Sequence, residues 1–75
     1  MIIENSKQIG ALVRGRRKQL KATQKDLAMS SGTGLRFIVD LERGKPTCHV
    51  GKMLHVLKSL GIHLEVVDEH GGDES

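Results

Sequence analysis

Apolar residues recur at helical spacing in four segments of the chain, and residues that favour turns separate these segments. The first segment carries the stripe Ile9, Leu12, Val13 and Leu20. Spacing by three and four residues is typical of a helix with one buried face. The pattern predicts this helix over residues 6–21, with Asn5 or Ser6 as its N-cap and Gln8 completing a capping box with Asn5.

One position on this stripe is charged. Four residues after Val13 the stripe reaches Arg17 rather than an apolar residue. A buried arginine needs an acidic partner, because an unpaired buried charge costs several kcal/mol. The fold must therefore bring a carboxylate to Arg17.

The next two predicted helices are short and closely spaced. Thr23, followed three residues later by Asp26, is typical of a helix start, and Gly32 is suited to end that helix. The third predicted helix carries Leu35, Ile38 and Leu41 and ends at Gly44, before Pro46. Glu42 lies on the inward face of this helix and is the predicted partner of Arg17.

The last part of the chain changes its period. Val50, Met53, Leu54 and Leu57 predict a fourth helix that ends at Gly61. Residues 62–67 then alternate, which predicts a half-buried strand with Ile62, Leu64 and Val66 on one face. Because one strand cannot form a sheet alone, we expect it to pair with a second copy of the chain. A strand folded back on its own monomer would leave its backbone groups unpaired. Residues 68–75 contain no core-forming residues and are expected to be disordered.

The distribution of charge along the chain indicates that the small domain binds a polyanion. All twelve Lys and Arg residues precede residue 65, whereas five of the nine acidic residues follow residue 64. Residues 1–64 therefore carry twelve basic and four acidic residues, a net charge of +8. A basic body favours nucleic acid as partner, although solvated helix faces would give the same total.

Length and composition exclude several classes of protein. A chain of 75 residues fits one small domain. Its single cysteine, Cys48, excludes an internal disulfide and favours the cytoplasm. No apolar run is long enough to span a membrane, so no membrane partner is expected. Phe37 is the sole aromatic residue, which argues against a stacking platform for single strands.

The short helices match the spacing of a DNA-binding helix-turn-helix. Counted from Gln24, the fifth residue is the small Ala28, the ninth is Gly32, and the fifteenth and eighteenth are Ile38 and Leu41. A small residue allows close helix approach, glycine allows the left-handed turn, and the two later residues fix the second helix on the core. In such a motif the second helix enters the major groove.

These residues resemble the Cro/repressor-type (XRE-like) helix-turn-helix family over about residues 6–61. The resemblance rests on residues 23–28, on Gly32 and on the ending Ile38-x-x-Leu41-Glu42-Arg43-Gly44. The continuation, Leu54-x-x-Leu57-x-x-Leu60-Gly61 followed by the strand, is similar to HipB-like antitoxins. The resemblance implies a mainly all-α fold of four to five helices, with one C-terminal β-strand pairing across a homodimer. It also implies a palindromic double-stranded operator and a HipA-like kinase toxin as partners, and Arg17 and Glu42 match the family's buried ion pair.

The resemblance divides the chain into four parts and supplies the expected DNA contacts. Residues 1–5 form an N-terminal arm, 6–61 the DNA-binding domain, 62–67 the dimerisation strand and 68–75 the acidic tail. The expected DNA-binding residues are Gln24, Lys25, Thr33, Gly34, Leu35, Arg36, Val39, Asp40, Arg43 and Lys45. Arg36 suits guanine and Leu35 a thymine methyl group, whereas Arg43 and Lys45 suit phosphates. Asp40 would repel DNA unless it accepts from cytosine or pairs with a neighbouring residue.

Other chemistries fit the sequence less well. Cys48 and His49 have no third ligand at metal-binding spacing, so neither a metal nor a cofactor is expected. A Cys/His nucleophile needs a pocket that a chain of this size has little room for, so an enzyme is not expected. The predicted function is a sequence-specific transcriptional repressor, the antitoxin of a HipA-like pair that autoregulates its operon. The alternatives are a kinase inhibitor with secondary DNA affinity and a stand-alone phage-type repressor.

Overall fold

The protein is described from a computed structural model, which covers residues 3–46 and 49–63. Within these ranges the chain forms four α-helices: α1 (Ser6–Gln19), α2 (Gln24–Ser31), α3 (Leu35–Glu42) and α4 (Val50–Ser59). The helical part of the predicted fold is thus present with four helices, all at the expected places. The predictions for residues 1–2, for Cys48 and for residues 64–75 concern positions outside the described residues.

The ends of α1 refine the sequence prediction. Asn5 is the N-cap, and its side-chain oxygen accepts from the Gln8 N–H at 3.0 Å. The Gln8 side chain accepts from the backbone of Glu4 rather than from that of Asn5, so the predicted capping box is displaced by one residue. The helix ends at Gln19, two residues earlier than predicted, because Lys21 adopts a left-handed conformation with φ +58°.

The turn between α2 and α3 follows directly from its local sequence. The Thr23 hydroxyl accepts from the Asp26 N–H, and the Asp26 carboxylate accepts from the Thr23 N–H, which gives a complete capping box. At the other end, Gly32 has φ +73°, a conformation that glycine adopts without steric cost. The chain then reverses into α3, with Gly34 at its N-cap.

The core lies where α3 packs against α1 and α2, and where α2 packs against α4. Its buried apolar residues are Val13, Leu27, Ala28, Ile38, Leu41, Val56, Leu57 and Leu60. They come from all four helices and the end of α4, and Ile38, the largest of the fully buried residues, is 0% exposed. Leu20, assigned to the buried stripe from the sequence, is instead 49% exposed, because the helix has already ended there. This core fixes the orientation of α3 relative to α2.

A close helix crossing further restrains α3. At Gly10 on α1, a Cβ atom would lie 2.5 Å from the Leu41 carbonyl oxygen and 2.8 Å from that of Glu42. Because real Cβ atoms do not approach that closely, only glycine permits this contact between α1 and the end of α3. The backbone of α1 therefore lies directly against the carboxyl end of α3.

The end of the described chain packs onto the helices. After α4, Gly61 has φ +74° and the Ile62 N–H donates to the Leu57 carbonyl at 2.9 Å. Ile62 is partly buried against the core, and it forms no strand within the described residues. Leu64 and Val66, the other residues on the inner face of the predicted strand, lie outside them.

Candidate nucleic-acid interface

The outer face of α3 is exposed to solvent although its inner face is buried. Ile38 and Leu41 are 0% and 3% exposed. On the opposite side Leu35 is 48% exposed, and the Arg36 side chain is 86% exposed. The helix is thus a fixed rod with an accessible face that presents an arginine and a leucine.

The N-terminus of α3 carries the expected glycine cap. Because the N-cap residue Gly34 has no side chain, the first N–H groups of α3 have no side-chain acceptor at the cap. The Thr33 hydroxyl, another expected DNA contact, lies 2.9 Å from the Ser31 hydroxyl. Uncapped amides at a helix start are suited to an anion such as phosphate.

A buried ion pair joins α1 to α3. Arg17 Nε lies 2.6 Å from Glu42 Oε2, and Arg17 Nη2 donates to Glu42 Oε1 at 3.0 Å, so the contact is bidentate. The two side chains are 11% and 5% exposed. Arg17 also donates to the Ala22 carbonyl at 2.8 Å. The hydrogen bond that Arg17 donates to Glu42 raises the pKa of Arg17, which keeps the guanidinium charged.

Gln24 is the third member of this network. Its side-chain nitrogen donates to Glu42 Oε1 at 3.2 Å, which holds the first residue of α2 against the carboxyl end of α3. The amide oxygen then remains available as an acceptor. The sequence predicted a DNA contact at Gln24 and missed this bond, because nothing in the spacing indicates that Glu42 serves two donors.

The network forms the floor of an open polar cleft between α1, α2 and α3. The cleft has a volume of about 360 Å³ and is lined by Arg14, Arg17, Gln24, Val39, Glu42 and Arg43. Two of these residues, Arg14 and Arg43, are exposed and basic. Arg14 is not among the DNA contacts expected from the sequence. Its position three residues before Arg17 is the signal that places it beside the cleft.

Asp40 pairs with two neighbouring basic residues. Arg36 Nε lies 3.4 Å from an Asp40 carboxylate oxygen, and Lys45 Nζ lies 3.7 Å from the other. Lys45 is exposed in the turn after α3, and Lys25 is exposed in the first turn of α2. The expected basic contacts therefore lie on both helices of the helix-turn-helix and on the turn that follows them.

Two further residues are explained by packing. Phe37 is partly buried against the core, and Lys52 Nζ of α4 lies 5.9 Å from its ring centroid. Arg16 donates from Nε to the Leu60 carbonyl at 3.0 Å, which satisfies a free backbone acceptor at the end of α4. These contacts join α4 to α3 and α1.

The rest of the described surface includes an apolar groove, but no group of metal-binding side chains. The groove, of about 330 Å³, is lined by Ala11, Leu12, Gly15, Arg16, Gln19 and Ile62. In residues 3–46 and 49–63, no three His, Cys, Asp or Glu side chains lie close enough to hold a metal ion. In the same residues, no helix combines the length and the apolar character that crossing a bilayer requires.

The amino-acid sequence was compared with family models and with known proteins. No family model matches the sequence. The chain is 51% identical over 65 residues to y4mF of Sinorhizobium fredii, an uncharacterized HTH-type transcriptional regulator, and the match covers 87% of this chain and 86% of the relative.

Solved structures share the fold. A HipB–O1–O2 complex matches with a TM-score of 0.81 at 22% identity, covering 91% of this chain and 99% of that chain. A HipA–HipB–O2–O3 complex matches with a TM-score of 0.83 at 22% identity, covering 92% and 97%. The helix-turn-helix geometry of α2 and α3 and the identity to y4mF lead to the same conclusion: the chain belongs to the HTH-type transcriptional regulators.

Proposed function

We propose that this regulator is a sequence-specific repressor that inserts α3 into the major groove of duplex DNA. The observation that carries this proposal is the contrast between the two faces of α3. Ile38 is fully buried, so the helix cannot rotate, whereas the Arg36 side chain is 86% exposed. A fixed helix with an accessible guanidinium matches the way helix-turn-helix proteins present base contacts.

The proposed contacts divide into base readers and phosphate contacts. Arg36 donates two hydrogen bonds to guanine O6 and N7, and Leu35 contacts a thymine methyl group. Phosphates are bound by Lys25, Arg43 and Lys45 and by the amides at Gly34 and Thr33. Gln24 accepts or donates at the groove edge, and Val39 packs against the sugar–phosphate backbone. Arg14 joins the phosphate contacts from the opposite wall of the cleft.

We further propose that the protein acts as a homodimer on a palindromic site. Two copies would place their α3 helices in successive major grooves about 34 Å apart. The apolar groove beside Ile62 and the alternating pattern of residues 62–67 support pairing through the C-terminal segment. A small domain in which the described residues include eight buried apolar ones gains stability from such a partner.

We propose a HipA-like kinase toxin as the protein partner, so that the repressor is the antitoxin of an autoregulated pair. The shared fold with HipB in a HipA–HipB–O2–O3 complex supports this partner. Coexpression of the chain with the product of the adjacent gene tests it. Recovery of a stable heterocomplex supports the antitoxin role, whereas its absence favours a stand-alone repressor.

The DNA-binding role is tested by titration against the DNA upstream of the protein's own gene at two salt concentrations. Phosphate contacts should make the logarithm of the affinity fall with the logarithm of salt, by about 0.9 per contacted phosphate. A scrambled duplex of the same composition is the control. Equal affinity for both duplexes, or no binding to either at low salt, would contradict the proposal.

A second candidate function is inhibition of a kinase, with DNA affinity secondary. This function is favoured by two exposed apolar residues of α4, Val50 and Leu54, which are 60% and 46% exposed. Exposed apolar residues four positions apart form a strip suited to a protein partner. Deleting residues 68–75 and replacing Val50 and Leu54 by polar residues separates the two functions. Loss of the partner with DNA binding intact assigns these surfaces to protein binding.

A further inference from the structure

One carboxylate contacts two of the basic side chains proposed to meet DNA. The Asp40 oxygens lie 3.4 Å from Arg36 Nε and 3.7 Å from Lys45 Nζ. The Asp40 side chain is only 22% exposed, whereas those of Arg36 and Lys45 are 86% and 54% exposed. The acid thus lies beneath the two cations, on the same face of the molecule.

The backbone holds these three residues together. Arg36 precedes Asp40 by four residues on α3, which places the two side chains on the same face of the helix. Beyond the helix, Gly44 has φ +81°, and the Lys45 N–H donates to the Asp40 carbonyl at 3.1 Å. A Cβ at Gly44 would also lie 2.8 Å from the Lys7 Cα, so this turn requires glycine twice over. The return of Lys45 to Asp40 is therefore part of the fold.

A carboxylate at this position has two effects on a polyanion. It offsets the charge of the cations that would otherwise attract any phosphate, and it repels phosphates itself. Exposed ion pairs are weak, so Arg36 and Lys45 can leave Asp40 when a better acceptor is present. Phosphates of a non-cognate duplex can bind the cations, whereas the carboxylate gains nothing from phosphates.

A cognate base pair can satisfy both charges. Arginine donates to guanine O6 and N7, and an aspartate accepts from cytosine N4–H, so the two side chains together match groups that G·C steps present in the major groove. Asp40 would then gain a donor at the moment Arg36 leaves it. An A·T pair also presents a donor, adenine N6–H, but it lacks the paired O6 and N7 acceptors of guanine that Arg36 would take.

We propose that Asp40 is a specificity-determining residue of this interface: it lowers affinity for non-cognate DNA by holding Arg36 and Lys45, and only a cognate G·C step satisfies both Asp40 and Arg36. This inference rests on the proposed DNA-binding function. In this role an acidic residue improves discrimination between duplexes because it controls two cations, not because it strengthens DNA binding overall.

The test compares Asp40→Asn with a matched control. Glu4→Gln removes the same charge from an exposed residue of the N-terminal arm, outside α3 and the turn that follows it. The cognate duplex is selected from a random pool with the unaltered protein, and a scrambled duplex of equal length is the reference. Affinities are measured at several salt concentrations, and circular dichroism establishes that each variant is folded.

For Asp40→Asn we expect affinity for the scrambled duplex to rise at least tenfold, and more than for Glu4→Gln. The salt dependence on that duplex should steepen by about 0.9 for each freed cation that reaches a phosphate. The ratio of cognate to scrambled affinity should fall. Selection repeated with Asp40→Asn should lose the preference at one G·C pair.

Two different failures are distinguishable. If the unaltered protein selects a duplex but Asp40→Asn keeps the same ratio and salt dependence as Glu4→Gln, the role of Asp40 is wrong and the DNA-binding function stands. If the unaltered protein selects no duplex at low salt, the DNA-binding function fails, and the role of Asp40 fails with it. Should Asp40→Asn unfold, Asp40→Ser is read against the same two outcomes.

Discussion

At the scale of single residues, the buried Arg17–Glu42 pair is the most consequential contact. Both charges are largely removed from water and satisfied by a bidentate contact, and Glu42 also accepts from Gln24. Pairs of this kind add little stability relative to apolar residues, but removing one member leaves an uncompensated charge. The pair therefore fixes how α1 meets α3 rather than driving folding.

Replacing Glu42 by Ala should lower the free energy of unfolding by about 3–5 kcal/mol, because Arg17 would remain buried without its partner. Replacing both residues by apolar ones, Arg17→Met with Glu42→Leu, should recover most of that loss. Urea unfolding followed by circular dichroism measures both. A single variant as stable as the double variant would contradict this account of the pair.

Arg36 and Lys45 should differ in how they affect DNA binding. Arg36→Ala should reduce discrimination at one base pair by about 1–3 kcal/mol, since it removes a bidentate base contact. Lys45→Ala should weaken binding without changing the preference at any base pair, and should make the salt slope on the selected duplex shallower by about 0.9, since it removes a phosphate contact. Titrations with the selected and scrambled duplexes measure both effects. Identical, sequence-independent losses for the two variants would show the assigned roles to be wrong.

At the scale of elements, local signals in the sequence fix where the short helices begin. The capping box of Thr23 and Asp26 and the left-handed Gly32 are formed by residues within ten positions of one another. Because such contacts need no tertiary partner, they can be predicted from the order of residues alone.

The capping box gives α2 a pH dependence with a defined sign. Hydrogen bonds from the Thr23 backbone and side chain lower the pKa of Asp26. Because the pKa of Asp26 is lower in the folded than in the unfolded protein, its charged cap stabilises the fold fully above the unfolded-state pKa of about 4. This stabilisation is lost as the pH falls through the folded-state pKa. The melting temperature of the unaltered protein should therefore exceed that of Asp26→Asn at pH 7, and the gap should close below pH 4. A gap independent of pH would contradict a charged cap.

Because α1 crosses α3 at Gly10 but not at Gly15, replacing these two glycines of α1 by alanine should change the stability in opposite directions. Gly10→Ala should destabilise the protein by at least about 2 kcal/mol, because its Cβ would overlap the Leu41 carbonyl oxygen, in the manner of overpacking. Gly15→Ala meets no atom within 4 Å and should stabilise α1 by about 0.5–1 kcal/mol. Thermal unfolding of both variants measures this contrast. Equal effects would mean that the helices do not cross at Gly10.

At the scale of the whole molecule, the proposed dimer depends on the C-terminal segment. Removing residues 64–75 should convert the protein to a monomer and lower its affinity for a palindromic duplex by about a hundredfold or more, since one of two linked contacts is lost. Removing only residues 68–75 is the control and should leave the dimer intact. Analytical ultracentrifugation and DNA titration give the two readouts. A dimer that survives the longer deletion would place the interface elsewhere.

The sequence by itself determined the four helices, the glycine turns and the motif spacing, because the periodicity, caps and left-handed positions are properties of neighbouring residues. It also put Arg17 on a buried face and Glu42 on another, although their distance of 2.6 Å depends on how the helices cross. The end of α1 was set too late, since a single left-handed lysine ended the helix without a glycine to announce it.

The tertiary structure alone decided which polar groups meet across elements. Gln24 bonds to Glu42, Arg14 lies beside Arg43 in one cleft, and Gly10 lies against the Leu41 carbonyl, although these residues are far apart in the chain. Such contacts depend on the relative positions of packed helices. The spacing of residues within one helix carries no information about those positions. Only the assembled core fixes those positions, because close packing leaves its helices no freedom to slide.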